Sequence, residues 1–194
     1  MNAGDLTSSS LLRRAAVQDP EAWQRLVALY SPMVHLWCRQ GGIPQHEVDD
    51  VSQEVYAVVA SSLAKFRPDQ PGASFRAWMR GIVRHKLQHH VRQWGQPAVG
   101  GSEALRQLEQ VPAPADEFEL SESPKDVTAL YQRALRQVQH QFQEQTWTAF
   151  WRVTIESRST AEVAAEMGIS ANAVRLAKSH VLRRLREEMG ELIA

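Results

Sequence analysis

Cysteine is almost absent from this chain. Cys38 stands alone, so no internal disulfide can form and a cysteine-rich zinc site is excluded. Net charge is absent as well, with 22 basic side chains against 22 acidic ones, so the total predicts nothing about a polyanionic partner. No apolar run is long enough to span a bilayer. The opening residues, MNAGDLTSSSLLRR, lack the basic-then-apolar order of a secretion signal, and a cytoplasmic protein without membrane insertion is expected. Alternating β-type runs are missing too, which points to an all-α chain. HExxH, a phosphate loop and a nucleophile motif are not found. Glu47, Asp49, Asp50 and Glu54 could in principle supply a two-metal nuclease, but carboxylates on an exposed helix face make a poor cage. His85 and His89, four apart, lack an evident third ligand. Neither an enzyme, a metal nor a cofactor is expected.

What the chain does have is charge placed unevenly. From Lys65 to Gln93 the cations Lys65, Arg67, Arg76, Arg80, Arg84, Lys86 and Arg92 face Asp69 alone. From Trp94 to Asp126 the acids Glu103, Glu109, Asp116, Glu117, Glu119, Glu122 and Asp126 outnumber Arg106 and Lys125. Such asymmetry between segments says more than the sum.

Helical signals bracket that acidic middle. Asp19-Pro20-Glu21 combines a capping side chain, a first-turn proline and an acid near the positive end of the helix dipole. Trp23, Leu26, Val27 and Tyr30 follow at helical spacing, and Ser31-Pro32 either kinks or restarts the helix before Val34 and Trp37. After a Gly41–Pro44 turn, a helix from about Glu47 buries Val51, Val55, Val58, Val59 and Leu63, leaving Glu47, Asp50 and Glu54 outside. The prolines and glycine of Arg67–Ser74 forbid a continuous helix. A third helix from Phe75 turns Phe75, Trp78, Met79 and Ile82 inward, as core. Arg76, Arg80 and Arg84, spaced by four, line an outward ridge. Glycines, prolines and acids then dominate residues 94–123. That composition cannot bury enough surface to offset ordering entropy, so a flexible linker is expected. Helix resumes at Ser123-Pro124 with Val127, Leu130, Ala134, Val138 and Phe142 on one face, then Trp147, Phe150, Trp151 and Ile155. The layout is a helical domain at 1–93, a linker at 94–123 and a helical domain at 124–194.

The last of these contains a helix-turn-helix. Ser159 caps a helix and Glu162 completes a capping box. Gly168 ends that helix and Ser170 caps the next. Val163, Met167, Ile169, Val174, Val181 and Leu185 can supply the shared core. Turning about 100° per residue from Val174 keeps Val181 and Leu185 on its side and puts Asn172, Arg175, Ser179 and Arg183 opposite. Arg175, Lys178, Arg183, Arg184 and Arg186 have no acid among them. A charged helix face is commonly just solvated, yet a stripe of amide, guanidinium and hydroxyl with flanking cations is what a major-groove helix needs.

Taken in order, three motifs resemble a bacterial RNA polymerase sigma factor of the extracytoplasmic-function group. Asp50 to Val55 resembles the signature of the promoter-melting domain, and Phe75 to Arg84 the helix that follows it. Glu162 to Ser170, with Val174 and Val181 to Leu185, resembles the promoter-reading helix-turn-helix. The resemblance covers roughly Ser9 to Gln93 and Lys125 to Leu192.

It implies that Asp50, Gln53 and Glu54 dock on clamp helices of the polymerase's largest subunit; the residues alone favour a solvated acidic face. It implies that the Arg67–Ser74 loop, including Asp69, captures a flipped −10 base. His85 occupies the position where the family commonly has asparagine. Imidazole can donate, accept and stack, so a different base preference is expected. Arg76, Arg80, Arg84 and Lys86 would hold phosphates of the opened strand. Asn172, Arg175 and Ser179 would contact −35 bases, and Lys178, Arg183 and Arg184 phosphates. Implied partners are core RNA polymerase, through the clamp helices and the flap, and promoter DNA, double-stranded and melted. Many members are also held by an anti-sigma protein. The rival reading is a free-standing helix-turn-helix regulator. Such proteins usually dimerise on two half-sites, and no dimerisation heptad is evident.

Overall fold

The computed structural model describes residues 10–67, 74–93 and 119–193. Helices α1 (Ser10–Ala16), α2 (Pro20–Gln40), α3 (Val48–Ser62) and α4 (Phe75–Gln93) precede the acidic stretch. Helices α5 (Pro124–Gln139), α6 (Glu144–Thr154), α7 (Thr160–Met167) and α8 (Ala171–Ile193) follow it. No strand occurs among the described residues. The fold is all-α.

Local chemistry sets the helix ends. Asp19 accepts from the backbone N–H groups of Glu21 (3.0 Å) and Ala22 (3.2 Å), satisfying donors that the first turn leaves open. Arg14 beside it, with those backbone donors, holds the Asp19 carboxyl below the usual carboxylate range. Pro32 sits inside α2 without ending it, and Ser31 Oγ donates to the Val27 carbonyl at 2.8 Å. The helix runs on to Gln40. Gly41 then lets α4 come close: a Cβ there would lie 2.4 Å from a Leu87 methyl. Ser123 and Asp126 form a capping box that opens α5.

The main core crosses the acidic stretch. Tyr30, Trp37, Val55, Phe75 and Leu87 from the first half join Leu130, Val138, Phe150, Val181 and Met189 from the second in one buried cluster. Full burial of each such large apolar side chain stabilises by roughly 1.5–3 kcal/mol. Polar contacts align the two halves. Arg133 donates to the Leu29 carbonyl at 2.9 Å and Gln137 to the Arg25 carbonyl at 2.8 Å. Tyr30 donates to the Leu192 carbonyl; deep burial drives its phenol pKa strongly upward, so it stays a donor.

Glu188, with a side chain only 6% exposed, accepts from Arg25 at 2.7 Å and Arg184 at 2.5 Å. Burial would raise its pKa, but hydrogen bonds from Arg25 and Gln141 and the nearby guanidinium charges outweigh it, and the carboxyl lies below the usual range. A smaller cluster of Ala149, Val163, Ala164, Val174 and Ala177, with Met167 and Ile169 against it, holds α6, α7 and the start of α8. Val181 and Leu185, expected in that small core, join the main one instead. The reason is length: α8 runs 23 residues, well beyond the helix-turn-helix.

The expected linker lies mostly outside the described residues, including Glu103, Glu109, Asp116 and Glu117. Its last residues are held. Leu120 is buried, and the Gln40 amide both donates to and accepts from the Ser121 backbone at 3.0 and 3.1 Å.

Candidate nucleic-acid interface

The helix-turn-helix forms with the expected local chemistry. The Glu162 N–H donates to Ser159 Oγ at 3.2 Å and the Ser159 N–H to the Glu162 carboxylate at 3.0 Å. Hydrogen bonds from the Ser159 side chain and from its backbone N–H lower the Glu162 pKa. Gly168 takes the left-handed conformation, φ 63°, which a Cβ would disfavour. The Ala173 N–H donates to Ser170 Oγ at 3.1 Å, capping α8. Glu166 on α7 accepts from Arg158 (2.7 Å) and Arg152 (3.0 Å), fixing the angle at which α7 leaves α6. Its carboxyl lies below the usual range because of Arg158.

Val174, Ala177 and Val181 face inward, leaving Asn172, Arg175, Ser179 and Arg183 exposed along one side of α8. Lys178 is half-buried on the flank. Among the described residues neither Arg175 nor Lys178 has a salt bridge, and Arg183 only a long one to Glu187 at 3.8 Å. Arg184 is placed differently from its neighbours. Its Nε donates to Gln141 Oε1 at 2.5 Å and it pairs with Glu188, so it braces α8 against the body of the fold. Leu176, an apolar residue, is 61% exposed beside this polar stripe.

The basic ridge of α4 is built otherwise. Glu122, its side chain 8% exposed, sits between Arg76 (3.4 Å) and Arg80 (3.3 Å). Arg84 is half-buried, as are His85 and Lys86. Lys86 Nζ meets the Glu54 carboxylate of α3 at 3.2 Å. A member of the acidic face and a member of the basic ridge thus neutralise each other. Arg67 is half-exposed or more and donates to the Ala64 carbonyl at 3.1 Å; Ser74 stands before α4, its oxygen 3.5 Å from the Ala77 N–H. Asp69 lies outside the described residues. Phe75 is fully buried, and Trp78 packs against it at 5.4 Å between ring centroids. Both serve the core, as their spacing predicts.

On α3, Asp49, Asp50, Gln53 and Glu54 are exposed while Val51, Val55, Val58 and Val59 are buried. Glu47 is drawn aside to His46 (3.3 Å) and His90 (3.0 Å). The remaining row is open to solvent and able to meet a basic helix.

Comparison with known proteins bears on this arrangement. The sigma-70 region 2 family pattern matches residues 26–95. The chain is 34% identical over 104 residues to the RNA polymerase sigma factor CnrH of Cupriavidus metallidurans, covering 51% of each protein; it thus spans about half of that relative. It is 28% identical over 192 residues to the ECF RNA polymerase sigma factor ShbA of Streptomyces griseus, covering 91% of this chain and 92% of that one. It is 27% identical to the ECF RNA polymerase sigma factor SigD of Mycobacterium tuberculosis, covering 93% and 82%. A solved structure of CnrH in complex with the cytosolic domain of CnrY covers 90% of this chain and 92% of that one at 22% identity, with a TM-score of 0.36, an overlay too loose to build on.

Proposed function

We infer from its own surfaces how this chain, which belongs to the extracytoplasmic-function group of RNA polymerase sigma factors, divides the work of promoter-specific initiation. Residues 1–93 dock on core polymerase and handle the −10 element. Residues 94–123 connect, and residues 124–194 read the −35 element. Asp50, Gln53 and Glu54 offer carboxylates and an amide to the clamp helices of the largest subunit, giving register and orientation more than raw affinity. Asn172, Arg175 and Ser179 reach base edges, with Lys178 and Arg183 on phosphates. Arg184 acts less directly, through its hold on Glu188. Arg67, Asp69, Ser74, Arg76, Arg80, Arg84, His85 and Lys86 form the surface for the opened strand, His85 shifting the base it prefers. The flap of the polymerase is the expected partner of the second unit, and an anti-sigma protein is a further candidate partner. The chain performs no chemistry of its own and works in the cytoplasm, where the polymerase is.

The observation that carries this reading is the acid-free, outward stripe on α8, in a chain whose α3 presents the opposite charge. Size-exclusion co-elution tests it. Purified chain should co-migrate with core polymerase, and promoter fragments should be retained only by the joint species. A chain that ignores core polymerase and binds DNA alone is instead a free-standing regulator.

A further inference from the structure

We propose that Leu176 is a specificity-determining residue of the −35 contact and reads the C5-methyl group of a thymine. This rests on the reading of α8 as the −35 helix. The helix phase supports it directly. Counting about 100° per residue, Leu176 falls beside Arg183, about 20° away, and about 40° and about 60° from Asn172 and Ser179, on the exposed arc opposite Val174 and Val181. The central side chains of a major-groove helix meet base edges, while those at its flanks meet phosphates.

Leu176 is 61% exposed and lies along an open cleft of about 480 Å³, whose other walls include Thr146, Ala173, Ala177, Ser179 and His180. A lone exposed leucine is ordinary on a protein surface. This one is set apart by its setting. From Ala171 to Arg186 no acid occurs, and Arg175, Arg183 and Arg186 share its exposed side of the helix. That charge selects a polyanion over an apolar protein partner. The other large exposed apolar residues, Val17, Tyr131 and Ile155, lie off α8.

Within the major groove the thymine methyl is the apolar feature on a base edge; the remaining features are donors and acceptors. Leucine can satisfy none of those, so pressing it on an amino group or a carbonyl would strip water from a polar group without replacement. The preference is therefore double: attraction to thymine and exclusion of the other bases. Asn172, Ser179 and Arg183 supply the hydrogen bonds to the neighbouring positions.

The test uses holoenzyme assembled from core polymerase and the full chain, on a promoter that it selects from a random library. Each thymine of the upstream element is replaced in turn by deoxyuracil, which removes only the methyl. One position should lose about three- to fourfold in binding, the worth of one buried carbon. Holoenzyme carrying Leu176→Ala should be indifferent to that replacement, with an unchanged melting curve for the exposed site. Leu176→Gln should move the preferred base at that position from thymine towards adenine. If Leu176→Ala responds to every deoxyuracil as the parent does, or if no thymine matters, Leu176 does not read a methyl, although the sigma assignment stands. If the parent holoenzyme selects no promoter at all, the −35 reading of α8 falls and takes this inference with it.

Discussion

The two basic surfaces of this chain are opposites in availability. The α8 stripe faces solvent with Arg175 and Lys178 outside any salt bridge among the described residues. On the α4 ridge, Glu122 already lies between Arg76 and Arg80, and Glu54 already holds Lys86. Similar cations at similar helical spacing thus have different free energies of use. An arginine of α8 gives up water to bind a phosphate; Arg76 or Arg80 must also give up a nearly buried carboxylate. On the proposed reading, the α8 surface meets duplex DNA without first breaking an ion pair of Arg175 or Lys178. The α4 surface has part of its charge already met by Glu122 and Glu54.

The largest expected effect comes from breaking the frame that both surfaces share. Glu188→Gln removes the charge that joins α8 to Arg25 of α2, leaving a guanidinium 16% exposed without its carboxylate. Losing one partner of a buried pair costs about 3 kcal/mol, or a drop of roughly 6–12 °C in melting temperature for a chain of this size. The pH dependence has a definite sign. The folded Glu188 pKa is lowered, so its stabilisation is present above the unfolded value and is lost as pH falls through the folded one. Thermal melts across acid pH should show a shallower decline in Glu188→Gln than in the parent.

Next comes a blow to the open surface alone. Arg175→Ala should lower promoter-specific transcription by roughly five- to a hundredfold, the range for a base-reading arginine, with co-elution with core polymerase unchanged. Run-off assays and size-exclusion together check it, and lost co-elution contradicts the division of labour. Asp50→Ala with Glu54→Ala should do the reverse, weakening polymerase binding about tenfold while sparing the helix-turn-helix. The pair also releases Lys86, so any gain in single-strand binding by the isolated chain measures what Glu54 withholds.

The smallest effect sharpens the closed side. Glu122→Gln should raise the affinity of the full chain for a single-stranded oligonucleotide by about two- to fivefold, the scale of a modest ion pair, and most clearly at low salt. Binding by fluorescence anisotropy that stays flat would show that Glu122 does not restrain the ridge.

Much of the open surface was legible because its signals are local. A capping box spans three residues, a left-handed glycine announces itself by type, and the inward face of α8 follows from helical phase. The closed surface was not legible. Glu122 lies 42 residues from Arg80 and Glu188 lies 163 from Arg25, and nothing in either neighbourhood names the partner. The acids of residues 94–123 read as solvated because their composition is polar, yet burial of Leu120 draws Glu122 in with it. Arg184 looked like another groove cation, although Glu188 four residues on marked it for a helix-face pair. Leu176 shares the exposed phase of Asn172 and Ser179, but an apolar side chain carries no hydrogen-bonding signal that marks it in the sequence as facing a groove.

The account turns most directly on transcription from a random promoter library by core polymerase, with and without this chain. It predicts new start sites that appear only when both are present, share an upstream and a downstream element, and vanish with Arg175→Ala. Start sites unchanged by the chain, together with DNA protected by the chain alone, would contradict it.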